Sequence, residues 1–484
     1  MKTGPSYGGI GERGSGTHVT GIKDRIQLHL ENNLIKSVDK SQFVNGLDVF
    51  SLDLSRNKGP MDIPDDIFEN LASTLERLSL EALSLTFDQP LSMVSDLSKL
   101  TKLSVSHNNR RGYVPGAVEH VTVRLLEGPV TRSLRTLKMS HCGLRSLSDS
   151  SLAGLSSLES LDLSNNWFTK IPGAIKSLPG LKTLSLFHCY IKKLADFSFS
   201  GMTQLKSLHL SSNHLAEIEP FAFTGPENSL DHLRMARCRL TQVPTNALKL
   251  LQKLKYLDMS ENRFTEAGPG AFKGSYCLTE LLISARDMEF SPEAFTDQSK
   301  CVVSLTIKQM DLISIPREAV SKLTNLRRLS LDNNQIRELQ SGAFSGIAAS
   351  SIRLTGNPLT TIEDDAFRGL PSGLDINLSH TDISGIEFLL GYPEEAITSV
   401  NLDYAGLVCR CSMRDALNAT LTARIYGSCR SGKRNIMLSS RELPQIVEDA
   451  CAEESKRNTG DIVMPGFITR LSVSLSFVLC LIVL

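Results

Sequence analysis

The sequence predicts an α/β solenoid in which short parallel strands line a concave face and a cysteine-tied unit closes the C-terminal end. A phrase of the form Leu-x-x-Leu-x-Leu-x-x-Asn returns about sixteen times along the 484 residues, at roughly 24-residue spacing. Ala-Phe steps follow it at a fixed remove, and a cysteine cluster begins directly after the last repeat. Lys and Arg total 52 against 52 Asp and Glu. That balance argues against a nucleic-acid partner, which asks for a basic face.

The strand comes first. Its cleanest copy runs from Leu158 to Asn166, with others at Leu205 to Asn213, Leu254 to Asn262 and Leu326 to Asn334, and weaker ones around Asn33, Asn57 and Asn108. Alternate side chains of an extended segment face opposite ways, so Leu161 and Leu163 point into a core while Asp162 faces out. Stacked coils pair their strands, and each Asn can bond neighbouring backbone groups where the chain leaves the strand. This is the pattern of a leucine-rich repeat. One coil cannot bury its apolar face alone, which predicts a continuous horseshoe over residues 25–408 after a Gly-rich segment, 1–24.

Three copies carry cysteine at the ladder position, Cys142, Cys189 and Cys238, where a thiol can serve as a small buried donor. No Cys-x-x-Cys spacing connects them to a metal. About ten residues past the ladder, Ala222-Phe223, Ala271-Phe272, Ala294-Phe295, Ala343-Phe344 and Ala366-Phe367 predict an aromatic spine along the convex side. Ile171-Pro172, Val243-Pro244 and Ile315-Pro316 precede that region, so convex segments should be short turns rather than long helices. Between Asn108 and Cys142 the period breaks, and the stretch opening with Asn109 to Gly116 predicts a surface loop tipped by Arg110, Arg111 and Tyr113. That loop reads either as a partner-binding projection or as a tolerated insertion.

The outward strand positions form the default binding surface of a solenoid. Its middle offers Arg135, Lys138, His141, Lys182, Phe187, His188, His209, Arg234, Arg237 and Tyr256 as binding candidates. Phe187 and Tyr256 are the natural anchors, because aromatic and Arg side chains dominate interface energetics. His107, His141 and His188 share the position before the ladder and suggest sensitivity to mildly acidic pH.

Beyond the last repeat stand Leu407-Val408-Cys409-Arg410-Cys411, then Cys429 and Cys451. Residues 409–451 resemble the cysteine-rich C-terminal flank of extracellular leucine-rich repeat proteins, although Ala405-Gly406 replaces the usual Asn-Pro. The resemblance implies bonds from Cys409 to Cys429 and from Cys411 to Cys451; four cysteines alone allow three connectivities. Cys-x-Cys is poorly spaced for a zinc knuckle. Cys277 and Cys301 each precede the strand of successive coils, and stacking at about 5 Å leaves open a bridge or two buried thiols.

Residues 452–484 close on an apolar run from Leu471 to Leu484, shorter than the about 20 apolar residues of a spanning helix. With small residues at 458–460 and a polar spacer, it matches a glycolipid (GPI) attachment signal, with Asn458 the best acceptor. The polar start lacks an apolar leader, and no cysteine unit precedes the first coil, whose apolar end should therefore be uncovered. Both suggest further coils upstream. Asn377-Leu378-Ser379 and Asn418-Ala419-Thr420 are glycosylation sequons.

No P-loop, Gly-x-Ser-x-Gly, His-Glu-x-x-His or Rossmann fingerprint is present, and neither a metal nor another cofactor is implied. From about Arg25 to Cys451 the chain resembles the extracellular leucine-rich repeat family and looks most like its chaoptin-type, GPI-anchored members. That resemblance implies a non-enzymatic adhesion or recognition module on the outer cell surface, taking a protein ligand or receptor, homophilic pairing included. The alternatives are a tail-anchored or intracellular scaffold of the same fold and a Toll-like pattern-recognition ectodomain.

Overall fold

The computed structural model describes residues 18–22, 25–43, 46–57, 61–109, 117–274, 277–393, 395–419 and 423–460. Arg110, Arg111 and Tyr113 of the inserted loop, and the apolar tail from Leu471, lie outside these residues. Within them the chain winds about sixteen coils, each giving one short strand to a single 19-stranded sheet. The strands run from Arg25–His29 to Ile397–Leu402, and all neighbours in this series pair in parallel.

Register follows from the leucine phrase. Leu161, Leu184, Leu208, Leu233 and Leu257 stand opposite one another on successive strands. All five are buried, as is Leu163, while Asp162 between them is half-exposed. Each leucine fills the space below its neighbour, so one apolar core runs the length of the arc.

The ladder asparagines hold adjacent coils together. Asn166 Nδ2 donates to Leu163 O in its own coil (2.9 Å) and to Met139 O in the preceding one (2.9 Å). Its Oδ1 accepts from Cys142 N (3.0 Å) and Leu144 N (3.1 Å). Asn108 repeats this pattern, as does Asn334. Where cysteine takes the place, Sγ of Cys142, Cys189 and Cys238 donates to Val105 O, Leu163 O and Leu210 O at 3.5, 3.6 and 3.5 Å. Burial pushes the Cys189 and Cys238 thiols up to about 12 and about 11. They stay protonated and serve as donors.

The residue just before the ladder adopts a left-handed backbone in coil after coil, as at His141 (φ 57°), Asn165 (57°), His188 (51°), Ser212 (60°) and Arg237 (54°). The chain there turns sharply out of the strand, and Gly356 does the same at φ 69°. On the convex side Pro172, Pro244 and Pro316 start the short helical turns Gly173–Ser177, Thr245–Leu248 and Arg317–Val320. In the coils between and after these turns, rings stack from one coil to the next, Phe199 on Phe223 (5.9 Å), Phe272 on Phe295 (5.5 Å) and Phe344 on Phe367 (5.3 Å). This is the expected spine.

Both ends carry elements that the repeat does not announce. The segment assigned to 1–24 contains a strand, His18–Ile22, which pairs antiparallel with Arg25–His29. The first coil's edge therefore has a backbone partner where none was expected. At the other end the boundary at 409 does not end the sheet, because Arg424–Ser431 pairs in parallel with Ile397–Leu402 and then antiparallel with Arg434–Met437. The boundary at 451 falls inside the helix Leu443–Gly460. Bonds join Cys409 to Cys429, Cys411 to Cys451, and Cys277 to Cys301, the last across a Cα separation of 5.2 Å.

Candidate functional site

The strands carry their outward side chains in columns, and between residues 185 and 260 these columns converge on one aromatic patch. Phe187 lies just past the strand Thr183–Ser185. Its ring sits 5.0 Å from that of His209, on the next strand, Ser207–His209, and 5.9 Å from that of His188. One strand further, Arg234 of His232–Arg234 places its guanidinium 4.9 Å from the Tyr256 ring centre. Tyr256 also stacks on His232 at 5.6 Å. Phe187, His209, Arg234 and Tyr256 are each half-buried, while His188 and His232 are exposed. The rings thus keep a free side, and parallel register sets their spacing.

The patch has its own electrostatics. Burial holds His209 below its ordinary value of 6.5, and the Arg234 charge adds to this, against weaker opposition from Asp258 and Asp162. Burial also pushes the Tyr256 hydroxyl up, helped by Asp258 and opposed by Arg234. Because the folded state binds the His209 proton less readily than the unfolded chain does, the associated stability is full above 6.5 and is lost as pH falls through that value. His209→Gln should therefore flatten the loss of stability between about pH 7 and about pH 5. Chemical unfolding of both proteins at the two pH values measures this, and an unaltered acid slope in the variant would count against it.

A second group lies nearer the N-terminus. Arg135 and Lys182 both reach Glu159, at 2.6 and 3.0 Å, across three coils. Lys182 first, and Arg135 with it, holds the Glu159 carboxyl below its usual range. With Lys102 and the strand threonines they border an open hollow of about 350 Å³. Lys138 is exposed beside it. Arg237 is drawn to the rim by Glu261 at 2.8 Å. Glu159 is absent from the sequence candidates although it holds the same place before its strand as Arg135 and Lys182 do before theirs, and that shared place is the signal that marks it.

The three histidines expected to act together are separated. His107 and His141 stack at 4.3 Å across neighbouring strands. His188, two coils on, has Nδ1 2.8 Å from Asn165 Oδ1. Among the described residues no group of three or more His, Cys, Asp or Glu could hold a metal ion. Asn377 closes the strand Leu374–Asn377 on the concave face, and its Oδ1 accepts from Ser379 N (3.0 Å), Ser379 Oγ (2.8 Å) and Thr355 Oγ1 (3.2 Å). Asn418 is exposed on the helix Met413–Ala419. The backbone of Asn458 lies in the last turn of Leu443–Gly460, and its side chain is outside the described set. Among the described residues no helix is long and apolar enough to cross a membrane.

A broad open arc of parallel strands, with its conspicuous side chains on the concave side, defines a binding scaffold. The family model "Leucine rich repeat" matches residues 132–191, and "BspA type Leucine rich repeat region (6 copies)" matches 177–302 and 291–388. Together they cover more than half of the chain, which belongs to the leucine-rich repeat family. The chain is similar to chaoptin of Drosophila melanogaster, 26% identical over 149 residues, covering 31% of this chain and 11% of chaoptin. It is also similar to lumican of Coturnix japonica, 28% identical over 325 residues, covering 66% of this chain and 74% of lumican. Among solved structures, a chain of the Drosophila Toll–Spatzle complex superposes with a TM-score of 0.55 at 18% identity, covering 81% of this chain and 59% of that one. The chain thus spans about a tenth of chaoptin and less than two thirds of the Toll–Spatzle match. The family and the fold together give a leucine-rich repeat scaffold.

Proposed function

We propose that this protein is a cell-surface adhesion or recognition module that binds a protein ligand through the middle of its concave face and performs no catalysis. The observation that carries this reading is the continuous patch formed by Phe187, His209, Arg234 and Tyr256. Half-buried aromatic rings beside an arginine are what interface hot spots are made of. Balanced charge and an open arc support a protein ligand over a small substrate, since catalysis wants an enclosed pocket with reactive groups. The apolar C-terminal run supports attachment to the outer membrane face through a lipid, with Asn458 as acceptor. A glycan on Asn377 would sit on the same face several coils away and leave the patch clear.

The full-length chain displayed on cells, and presented to a panel of cell-surface ectodomains that includes itself, tests the reading. A partner found this way should lose about tenfold or more in affinity with either Tyr256→Ala or Phe187→Ala. Unchanged affinity in both variants would move the ligand off this patch. Cell-surface display that survives phosphatidylinositol phospholipase C would remove the lipid anchor and leave the binding face untouched.

A further inference from the structure

A different column runs down the flank of the solenoid. The residue that follows the ladder in five consecutive coils is Trp167, Tyr190, His214, Arg239 and Arg263. Backbone bonds fix the register, because the N–H after the ladder donates to the carbonyl two residues past the ladder in the preceding coil. These bonds are Trp167 to Leu144 (2.7 Å), Tyr190 to Phe168 (2.9 Å), Arg239 to Leu215 (2.8 Å) and Arg263 to Leu240 (2.9 Å). The column therefore follows from the fold itself.

Its side chains are aromatic at one end and cationic at the other. The Arg145 guanidinium lies 5.0 Å from the Trp167 ring centre and is itself bonded to Glu119 at 2.8 Å. Tyr190, 44% exposed, meets the His214 ring edge-on at 5.2 Å. Lys192, Arg239 and Arg263 are exposed. Among the described residues none of these three forms an ion pair, whereas Arg135, Arg145, Arg237 and Arg353 each do. Burial first, and then the charges of Arg239 and Lys192, hold His214 below its ordinary value, a sign of local positive potential.

We propose that this flank docks an acidic, extended polypeptide segment of a partner protein, with carboxylates against Lys192, Arg239 and Arg263 and apolar side chains against Tyr190 and Trp167. Five coils at about 5 Å span about 20 Å, the length of about six extended residues at about 3.3 Å each. Carboxylates pair with guanidinium groups through short, charge-assisted bonds. A nucleic acid is disfavoured because the chain as a whole carries no net positive charge and Arg145, over Trp167, is already paired with Glu119. The flank is separate from the concave face and stands or falls apart from it.

Trp167 is the only tryptophan of the chain and so reports on this column directly. The full-length protein is titrated with a short peptide of alternating glutamate and leucine, the matching lysine peptide and a heparin oligosaccharide, while tryptophan emission is followed. A saturable shift with the glutamate peptide alone is expected. It should weaken about tenfold or more in Arg239→Glu/Arg263→Glu and, separately, in Lys192→Glu, because each places like charges together. Arg234→Ala on the concave face should leave it unchanged, and circular dichroism confirms that the exposed substitutions keep the fold. No response to the glutamate peptide, an equal response to the lysine peptide, or full affinity in the charge-reversed proteins overturns the proposal. A response to heparin without one to the peptide overturns it as well, assigning the flank to a sulfated sugar.

Discussion

Asn166→Ala is expected to lower the unfolding free energy by about 3–5 kcal/mol, as the same change should at the equivalent ladder positions Asn108 and Asn334. The residue is fully buried, and its amide serves two carbonyls and two N–H groups in two coils. Alanine would leave these backbone groups without partners where water has no access, at about 1–3 kcal/mol per buried group before relaxation. Asn166→Cys should cost about half as much, since sulfur at Cys142, Cys189 and Cys238 bonds the same preceding-coil carbonyl at longer range. The midpoint of urea unfolding ranks the three proteins. A shift below about 0.5 kcal/mol for the alanine variant would mean that leucine packing alone holds the coils together.

The second large effect belongs to the C-terminal unit. Removing the Cys409–Cys429 bond, by Cys409→Ser with Cys429→Ser, should destabilise that unit by about 2–4 kcal/mol. The bond ties the end of the last coil to the strand Arg424–Ser431, which covers the apolar edge that Ile397–Leu402 would otherwise present. Both sulfur atoms are in buried residues, so the vacated space also loses packing. Local opening should appear in hydrogen exchange at Cys409 and Arg430, whose N–H groups bond Arg430 O and Leu407 O at 3.0 and 2.9 Å. The coils around Leu161 should keep their protection, because each depends mainly on its neighbours. Protection at Cys409 and Arg430 equal to that of the unaltered protein would show that the hairpin stays docked without the bond.

What the sequence makes legible is whatever the period repeats. Leu161, Asn166, Phe223 and Pro244 each occupy a place whose role follows from one coil stacked on another, and the structure shows each in that role. Cys142 could be placed on the ladder for the same reason. The ends were less legible because the period stops there. His18–Ile22 pairs antiparallel, and nothing in a parallel repeat announces such a partner. Arg424–Ser431 has no leucine phrase and continues the sheet nonetheless.

The candidate site was legible as residue types and hardly at all as groups. His209 and Arg234 face each other in register, but Phe187 lies past its strand and Tyr256 begins its own, so only the three-dimensional arrangement shows Phe187 meeting His209 and Arg234 meeting Tyr256. Arg135 and Lys182 belong to a separate group because Glu159 draws them together. Trp167 escaped notice for a related reason. Its column lies one step beyond the ladder, where the sequence pattern stops constraining residue type.

The left-handed turn before each ladder residue restricts how the rim of the arc can vary. A side chain branched at Cβ is strongly disfavoured in that backbone region. The rim positions described above hold His141, Asn165, His188, Ser212 and Arg237, with glycine at 356, and none is Val, Ile or Thr. Diversity at the border between concave face and flank is therefore drawn from a reduced alphabet of unbranched, mostly polar residues. A randomised library meant to retarget this scaffold would keep more of its members folded by excluding those three residues from the rim and placing them freely on the strands.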